Sequence, residues 1–208
     1  MVDLAELLRV MEEEAKKRNA PAFSFKAKNP YESLVMAILS SRTRDEVTIE
    51  AGRRLLEKAP NPEKLMELDV KQIEELIKGV GFYRIKAKKL KELAERLVRD
   101  HNSRVPIDFD ELIKLPGVGR KVANLVISAF GGEAIAVDTH VHRIANRLGL
   151  VNTKNPEETE EKLKEVFPRE LWNKVNKAFV GFGQTICKPK KPLCNECPIR
   201  NICKYPKL

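Results

Sequence analysis

The chain has 208 residues and a formal net charge of +9, from 39 Lys and Arg against 30 Asp and Glu, with 42% hydrophobic content. That length can bury a real core as one large domain or two small ones. The mixed charges predict a soluble globular protein, and no apolar run approaches the roughly 20 residues a membrane helix needs. The basic excess suits a polyanionic partner. Met1 to Ala20 holds no apolar signal stretch, which predicts a protein that stays in the cytoplasm. Only Gln72 and Gln184 stand beside a high Lys and Glu content, a balance common in proteins of hot environments.

In chain order, Leu4, Leu7, Leu8, Met11 and Ala15 make a helical stripe that Pro21 ends. Ala22 to Lys28 reads as an irregular link. Asn29-Pro30 starts a helix expected to bury Leu34, Val35, Ile38 and Leu39. The polar break Ser40-Ser41-Arg42-Thr43-Arg44-Asp45 introduces a helix running to about Lys58. Its Ser, Thr and Asp are expected chiefly to cap that helix, although hydroxyls and two arginines at a junction also suit a phosphate or a base edge.

Asn61-Pro62 and Asp69 start two short helices, the second ending at Gly79-Val80-Gly81. A lysine-rich helix follows, expected to bury Ile85, Leu90, Leu93, Ala94, Leu97 and Val98. At its start Phe82 is an aromatic among basic neighbours, suited either to the core or to wedging into a base stack.

A second glycine pair lies in Leu115-Pro116-Gly117-Val118-Gly119-Arg120-Lys121. Phe109 to Leu115 can form a short helix before it. After it, Val122, Leu125, Val126 and Ala129 fall at helical spacing. The glycines open backbone angles closed to other residues. Amides at the start of the next helix, with its dipole, favour a phosphate, and Lys121 sits on the first turn. Alone, a Gly-x-Gly is equally a tight turn in a helical bundle.

Gly131-Gly132 break the chain, and Ala134 to Val137 are short and apolar. Asp138-Thr139 caps a helix containing Val141, Ile144, Ala145 and Leu148. Pro156 and Pro168 start two more, the latter reaching about Phe182, and the rest is a tail with little room for regular structure. The count is about ten helices with almost no alternation at period two, which predicts an all-α fold.

All four cysteines lie in that tail, as Cys187-x6-Cys194-x2-Cys197-x5-Cys203, with Pro189, Pro192 and Pro198 stiffening the loops. Four thiolates so close can converge on one tetrahedral Zn²⁺ or one [4Fe–4S] cluster, and the spacing leaves both open. A disulfide pair is disfavoured by the cytoplasmic expectation. Lys188, Lys190 and Lys191 stand on the loop between the first two cysteines, a cationic projection suited to gripping phosphates without reading sequence.

Taken together and in order, the Leu115–Lys121 stretch, Val137-Asp138-Thr139-His140 and the cysteine run resemble the endonuclease III family of helix-hairpin-helix DNA glycosylases. Leu39 to Asp45 and Gly79 to Ala87 are also similar to segments of that family, and the likeness spans about residues 23 to 205. It implies two helical domains with a DNA-binding cleft between them. Residues 23–133 would form a six-helix barrel with the hairpin, and 1–22 plus 134–208 a domain carrying a [4Fe–4S] cluster on Cys187, Cys194, Cys197 and Cys203. Lys121 takes the nucleophile's position and Asp138 that of the catalytic carboxylate. A lysine attacking a sugar C1′ must be neutral, a form favoured by a positive helix end and exclusion of water.

The resemblance places Leu115, Gly117, Val118, Gly119 and Arg120 on the DNA backbone. Arg42 stands where bacterial members have a glutamine that fills the gap left by a flipped base, and Phe82 where they have a leucine wedge. His140 reaches a phosphate or simply faces solvent, and Lys190 and Lys191 add phosphate contacts. The implied protein is a monomer, cytoplasmic and associated with the nucleoid, acting on damaged double-stranded DNA. It would remove oxidised pyrimidines of the thymine-glycol type through a lysine Schiff base and nick the strand 3′ to the abasic site by β-elimination. Two alternatives stand beside this. A monofunctional mismatch glycosylase would carry serine or tyrosine in place of Lys121. A non-catalytic, zinc-stabilised DNA-binding module would leave Lys121 and Asp138 unexplained.

Overall fold

A computed structural model describes residues 3–205. Among the described residues there are eleven α-helices, short 3₁₀ turns and no strand. The chain divides into two compact units, Ala27–Gly132 and Met1–Lys26 with Glu133–Leu208.

The first unit is built around α2 (Pro30–Ser40), in which Leu34, Val35, Met36, Ala37, Ile38 and Leu39 are all buried. A helix apolar all round has no face to give to water and must be covered on every side. It packs against α3 (Asp45–Lys58), α6 (Tyr83–His101) and α8 (Arg120–Ala129). Short helices α4 (Pro62–Glu67), α5 (Val70–Leu76) and α7 (Phe109–Leu112) complete the unit, with α4 and α5 against α6 and α7 against α8.

Starts are set locally. Asn29 and Asn61 each accept a bond from the backbone N–H of their helix's third residue at 2.9 Å, with proline in the first turn. Asp69 and Gln72 form a reciprocal capping box on α5. The expected cap on α3 is absent: Arg44 is its N-cap residue and makes no side-chain cap bond. The Thr43 hydroxyl is drawn elsewhere, accepting from the Gly81 N–H at 3.0 Å. Helix α6 also departs from expectation. Its buried stripe is Lys86, Ala87, Leu90, Leu93, Ala94 and Leu97, while Ile85 is 59% exposed and Val98 only half-buried. On α8 the buried set is Val122, Ala123, Asn124, Val126 and Ile127, so Leu125 and Ala129 contribute less than their spacing suggested.

The second unit packs α1 (Leu4–Lys17) against α11 (Trp172–Thr185), with α9 (Thr139–Leu148) against α11 and α10 (Pro156–Val166) against α9. Met11, Val141, Ile144, Leu163, Val175, Phe179 and Phe182 form its core. Helix α11 runs three residues beyond Phe182, and the tail holds two 3₁₀ turns, Cys194–Glu196 and Arg200–Ile202. Another 3₁₀ turn, Pro21–Phe23, occupies the expected irregular link. No helix among the described residues is long and apolar enough to cross a membrane.

Phe179 is fully buried and meets Phe167 edge-on at 6.3 Å between ring centres. Phe179→Ala should cost about 3–5 kcal/mol of unfolding free energy, read from a chemical denaturation curve. A loss below about 1 kcal/mol would mean the site collapses around the missing ring.

Candidate functional site

Each glycine pair closes the same turn. Val80 N–H donates to Ile77 O at 3.1 Å, and Val118 N–H donates to Leu115 O at 3.2 Å. The first glycine of each pair is left-handed, Gly79 at φ +98° and Gly117 at φ +78°, a region closed to most side chains. Leu115 and Val118 are buried, so their side chains anchor the hairpin and only their backbone is left to face a ligand. Gly119 and Arg120 are exposed, and Arg120 stacks over the Phe109 ring at 5.4 Å. Gly119 is the N-cap of α8, which puts Lys121 on that helix's first turn.

A concave surface beside this hairpin is lined by Ile38, Ser41, Arg42, Phe82, Ile85, Lys86, Lys89 and Gly117. It brings together three residues selected from sequence, Arg42, Phe82 and Gly117. Phe82 is 58% exposed rather than in the core, with the Arg42 guanidinium 5.5 Å from its ring centre. Both residues have left-handed backbones, φ 51° and 57°.

Beneath them Lys86 is only 8% exposed, its ammonium donating to Leu39 O at 2.9 Å, Ser41 O at 2.5 Å and Thr43 Oγ1 at 3.4 Å. Burial pushes this lysine down to about 8, and the Lys121 charge acts in the same direction. Lys121 is therefore near enough to be felt electrostatically. Sequence reasoning passed over Lys86 as one lysine in a basic run. Yet Lys86, Leu90, Leu93 and Leu97 share one helical face, and a lysine in line with an apolar stripe was the available signal.

In the other unit, the Asp138 carboxylate caps α9 through one oxygen. Oδ1 accepts from the backbone N–H of both His140 and Val141 at 2.9 Å. The His140 ring is half-buried, its Nδ1 accepting from Arg143 Nη2 at 3.1 Å. Arg143 also donates to Cys187 O at 2.8 Å, linking the start of α9 to the cysteine segment.

None of the four cysteines is in a disulfide; each is half-buried, and all four line one pocket with Ile144, Leu148, Phe182, Ile186, Pro192 and Ile199. Burial raises the Cys197 thiol, and the other three sulfurs lie close enough to add to that rise. The basic loop is held by Arg147, which donates to Lys188 O and Pro189 O at 2.8 Å and to Cys187 Sγ at 3.4 Å. Lys190 and Lys191 project exposed from it. Arg143 and Arg147 were not singled out from sequence. Nothing in a run of charged residues on a helix marks the ones that turn inward to carbonyls.

Comparison with known proteins places this geometry. Residues 35–169 match the HhH-GPD superfamily of base excision DNA repair proteins. The chain is 48% identical to endonuclease III of Thermotoga maritima over 181 residues, 86% of this chain and 85% of that protein. It is 40% identical to endonuclease III of Bacillus subtilis over 178 residues, 85% and 81% of the two. Its fold is similar to that of an endonuclease III trapped as a covalent intermediate with DNA, with a TM-score of 0.84 at 36% identity, covering 98% of this chain and 97% of that one.

The Lys86 environment carries a test of its own. In the unfolded chain a lysine titrates near about 10.4, and here it is held at about 8. Between those values the unfolded state binds more protons, so this group makes stability rise as pH climbs through that window. Wild type should gain stability relative to Lys86→Met between pH of about 8 and about 10, measured by denaturation of both at each pH. Parallel curves would show an ordinary surface-like lysine.

Proposed function

The chain belongs to the endonuclease III family, and from that premise we propose that it is a bifunctional DNA glycosylase and abasic-site lyase of base excision repair. Its substrate would be damaged duplex DNA carrying oxidised pyrimidines of the thymine-glycol type. The observation that carries the reading is the fold's near-complete likeness to an endonuclease III caught in a covalent bond to DNA. Lys121, on the first turn after the Gly117 hairpin, supplies a primary amine able to make such a bond.

In this reading the damaged nucleotide leaves the stack, at a cost lowest for lesions. Exposed Phe82 and Arg42 occupy the space it vacates, as an apolar wedge and a stacking cation do in bent duplexes. The glycine hairpin and the start of α8 hold the neighbouring phosphate. Neutral Lys121 attacks C1′, the glycosidic bond breaks with its electron pair going to the base, and the base takes a proton. The sugar ring opens to a lysine Schiff base. Loss of a C2′ proton then expels the 3′ phosphate oxygen, and water later frees the lysine. Asp138 steadies the cationic sugar or accepts a proton. Its helix cap engages Oδ1, so Oδ2 is the oxygen for that work. Arg120, His140, Lys190 and Lys191 would add phosphate contacts.

Cys187, Cys194, Cys197 and Cys203 would hold a [4Fe–4S] cluster. The fit rests on four thiols lining one largely apolar pocket. Four thiolates around one pocket are the ligand set that a [4Fe–4S] cluster takes. When bound, the cluster would supply cross-links that fix the tail. Arg147 already holds the basic loop from the protein side.

Borohydride should trap a covalent adduct between the wild type and a duplex containing thymine glycol or an abasic site. Lys121→Gln should form none, and Asp138→Asn should release the base about 10²–10⁴-fold more slowly. Full lyase activity in Lys121→Gln would overturn the mechanism. Separately, the purified protein should be brown, with broad visible absorption and about four iron atoms per chain, and Cys194→Ser should lower the iron content. A colourless, zinc-loaded protein would refute the cluster.

A further inference from the structure

Arg42 and Phe82 form an exposed stacked pair on two different segments, and each holds a left-handed backbone that glycine or asparagine would adopt more readily. Such conformations persist only where their surroundings over-determine them. The constraint lies directly underneath. The segment carrying Arg42 crosses the one carrying Phe82 so closely that a Cβ on Gly81 would stand 2.3 Å from Arg42 O. Thr43 Oγ1 accepts from the Gly81 N–H at 3.0 Å, tying the two segments on one side.

On the other side lies Lys86, one helical turn beyond Phe82, its own N–H donating to Phe82 O at 3.0 Å. Its ammonium reaches across to Leu39 O, Ser41 O and Thr43 Oγ1, the oxygens that flank Arg42. Three donors meet three neutral oxygens, which is the full donor capacity of an ammonium. An apolar side chain of the same length would fill the space and leave those carbonyls unpaired.

We propose that Lys86 is a positioning residue, a buried ammonium that clamps the Ser41–Thr43 turn to the start of α6 and so presents Arg42 and Phe82 to the duplex as one rigid wedge. The proposal rests on the reading that damaged duplex DNA is the substrate. As a positioning residue Lys86 works through the turn it holds. It acts by keeping two strained, solvent-facing side chains in register, so that neither has to be ordered when the nucleotide leaves the stack.

The consequence is a substrate split. A duplex abasic nucleotide must be extruded, whereas the same nucleotide in a single strand is already unstacked. The experiment measures borohydride-trapping rates on one abasic oligonucleotide, first annealed to its complement and then single-stranded. Lys86→Met should lower the duplex rate about tenfold or more beyond any loss on the single strand. Thr43→Val keeps the volume but removes the Gly81 tie and the longest of the three ammonium bonds, leaving the two carbonyl bonds of Lys86 in place, and should move the same ratio in the same direction by less. Equal losses on both substrates, or no loss on the duplex, would overturn the clamp. If Lys86→Met does not fold, the ratio for Thr43→Val decides alone. A wild type giving no adduct on either substrate would instead overturn the lyase reading itself.

Discussion

From Leu34 to Leu39 helix α2 has no polar face, and most of the first unit's architecture follows from that. With Leu34 through Leu39 all buried, the helix must be wrapped, and α3, α6 and α8 wrap it. The wrapping carries the end of α2, the start of α6 and the Gly117 hairpin to one surface. Arg42 follows the first, Phe82 begins the second, and Gly117 closes the third. Helix ends are where backbone groups go unpaired, so the same packing that hides the apolar helix gathers the polar ends around a common concavity.

That concavity needs unusual backbone, and the unit supplies it with few devices. Left-handed glycines close both hairpins. Two non-glycine residues in the same region are held in place by a lysine that has exchanged water for carbonyl oxygens. The second unit uses a related device. Arg143 and Arg147 turn inward to main-chain oxygens of the cysteine segment, so the exposed lysines of its basic loop stand on a fixed base. In both units a buried or half-buried cation organises backbone, and the cations offered to solvent are different residues.

Much of the fold was legible along the chain because its causes are local. Asn29-Pro30, Asn61-Pro62 and Asp69 start helices wherever they occur, and the structure places caps on all three. The two glycine hairpins were recognisable because positive φ has few other tenants. The cysteine segment was recognisable because its residue type occurs nowhere else in the chain. Of the candidate site, Lys121, Asp138 and the cysteines stood out by motif. Lys86, Arg143 and Arg147 did not, because what sets them apart is the set of oxygens they reach, and those oxygens lie 40 or more residues away in sequence, as with Lys86 and Ser41 or Arg143 and Cys187.

By itself the sequence determined the helical class, the helix starts, the glycine turns and the family, since each depends on neighbours along the chain or on residue types in fixed order. Only the tertiary structure decided which side chains those elements would spend inside. It turned Ile85 and Phe82 outward and Lys86 inward, against the hydrophobicity of each. It also diverted Thr43 from its expected helix cap to Gly81. The physical reason is the same in each case. The crossing of α2's end over the start of α6 creates a set of unpaired oxygens that one ammonium can satisfy, and burial follows the hydrogen bonds available rather than the residue's ordinary preference.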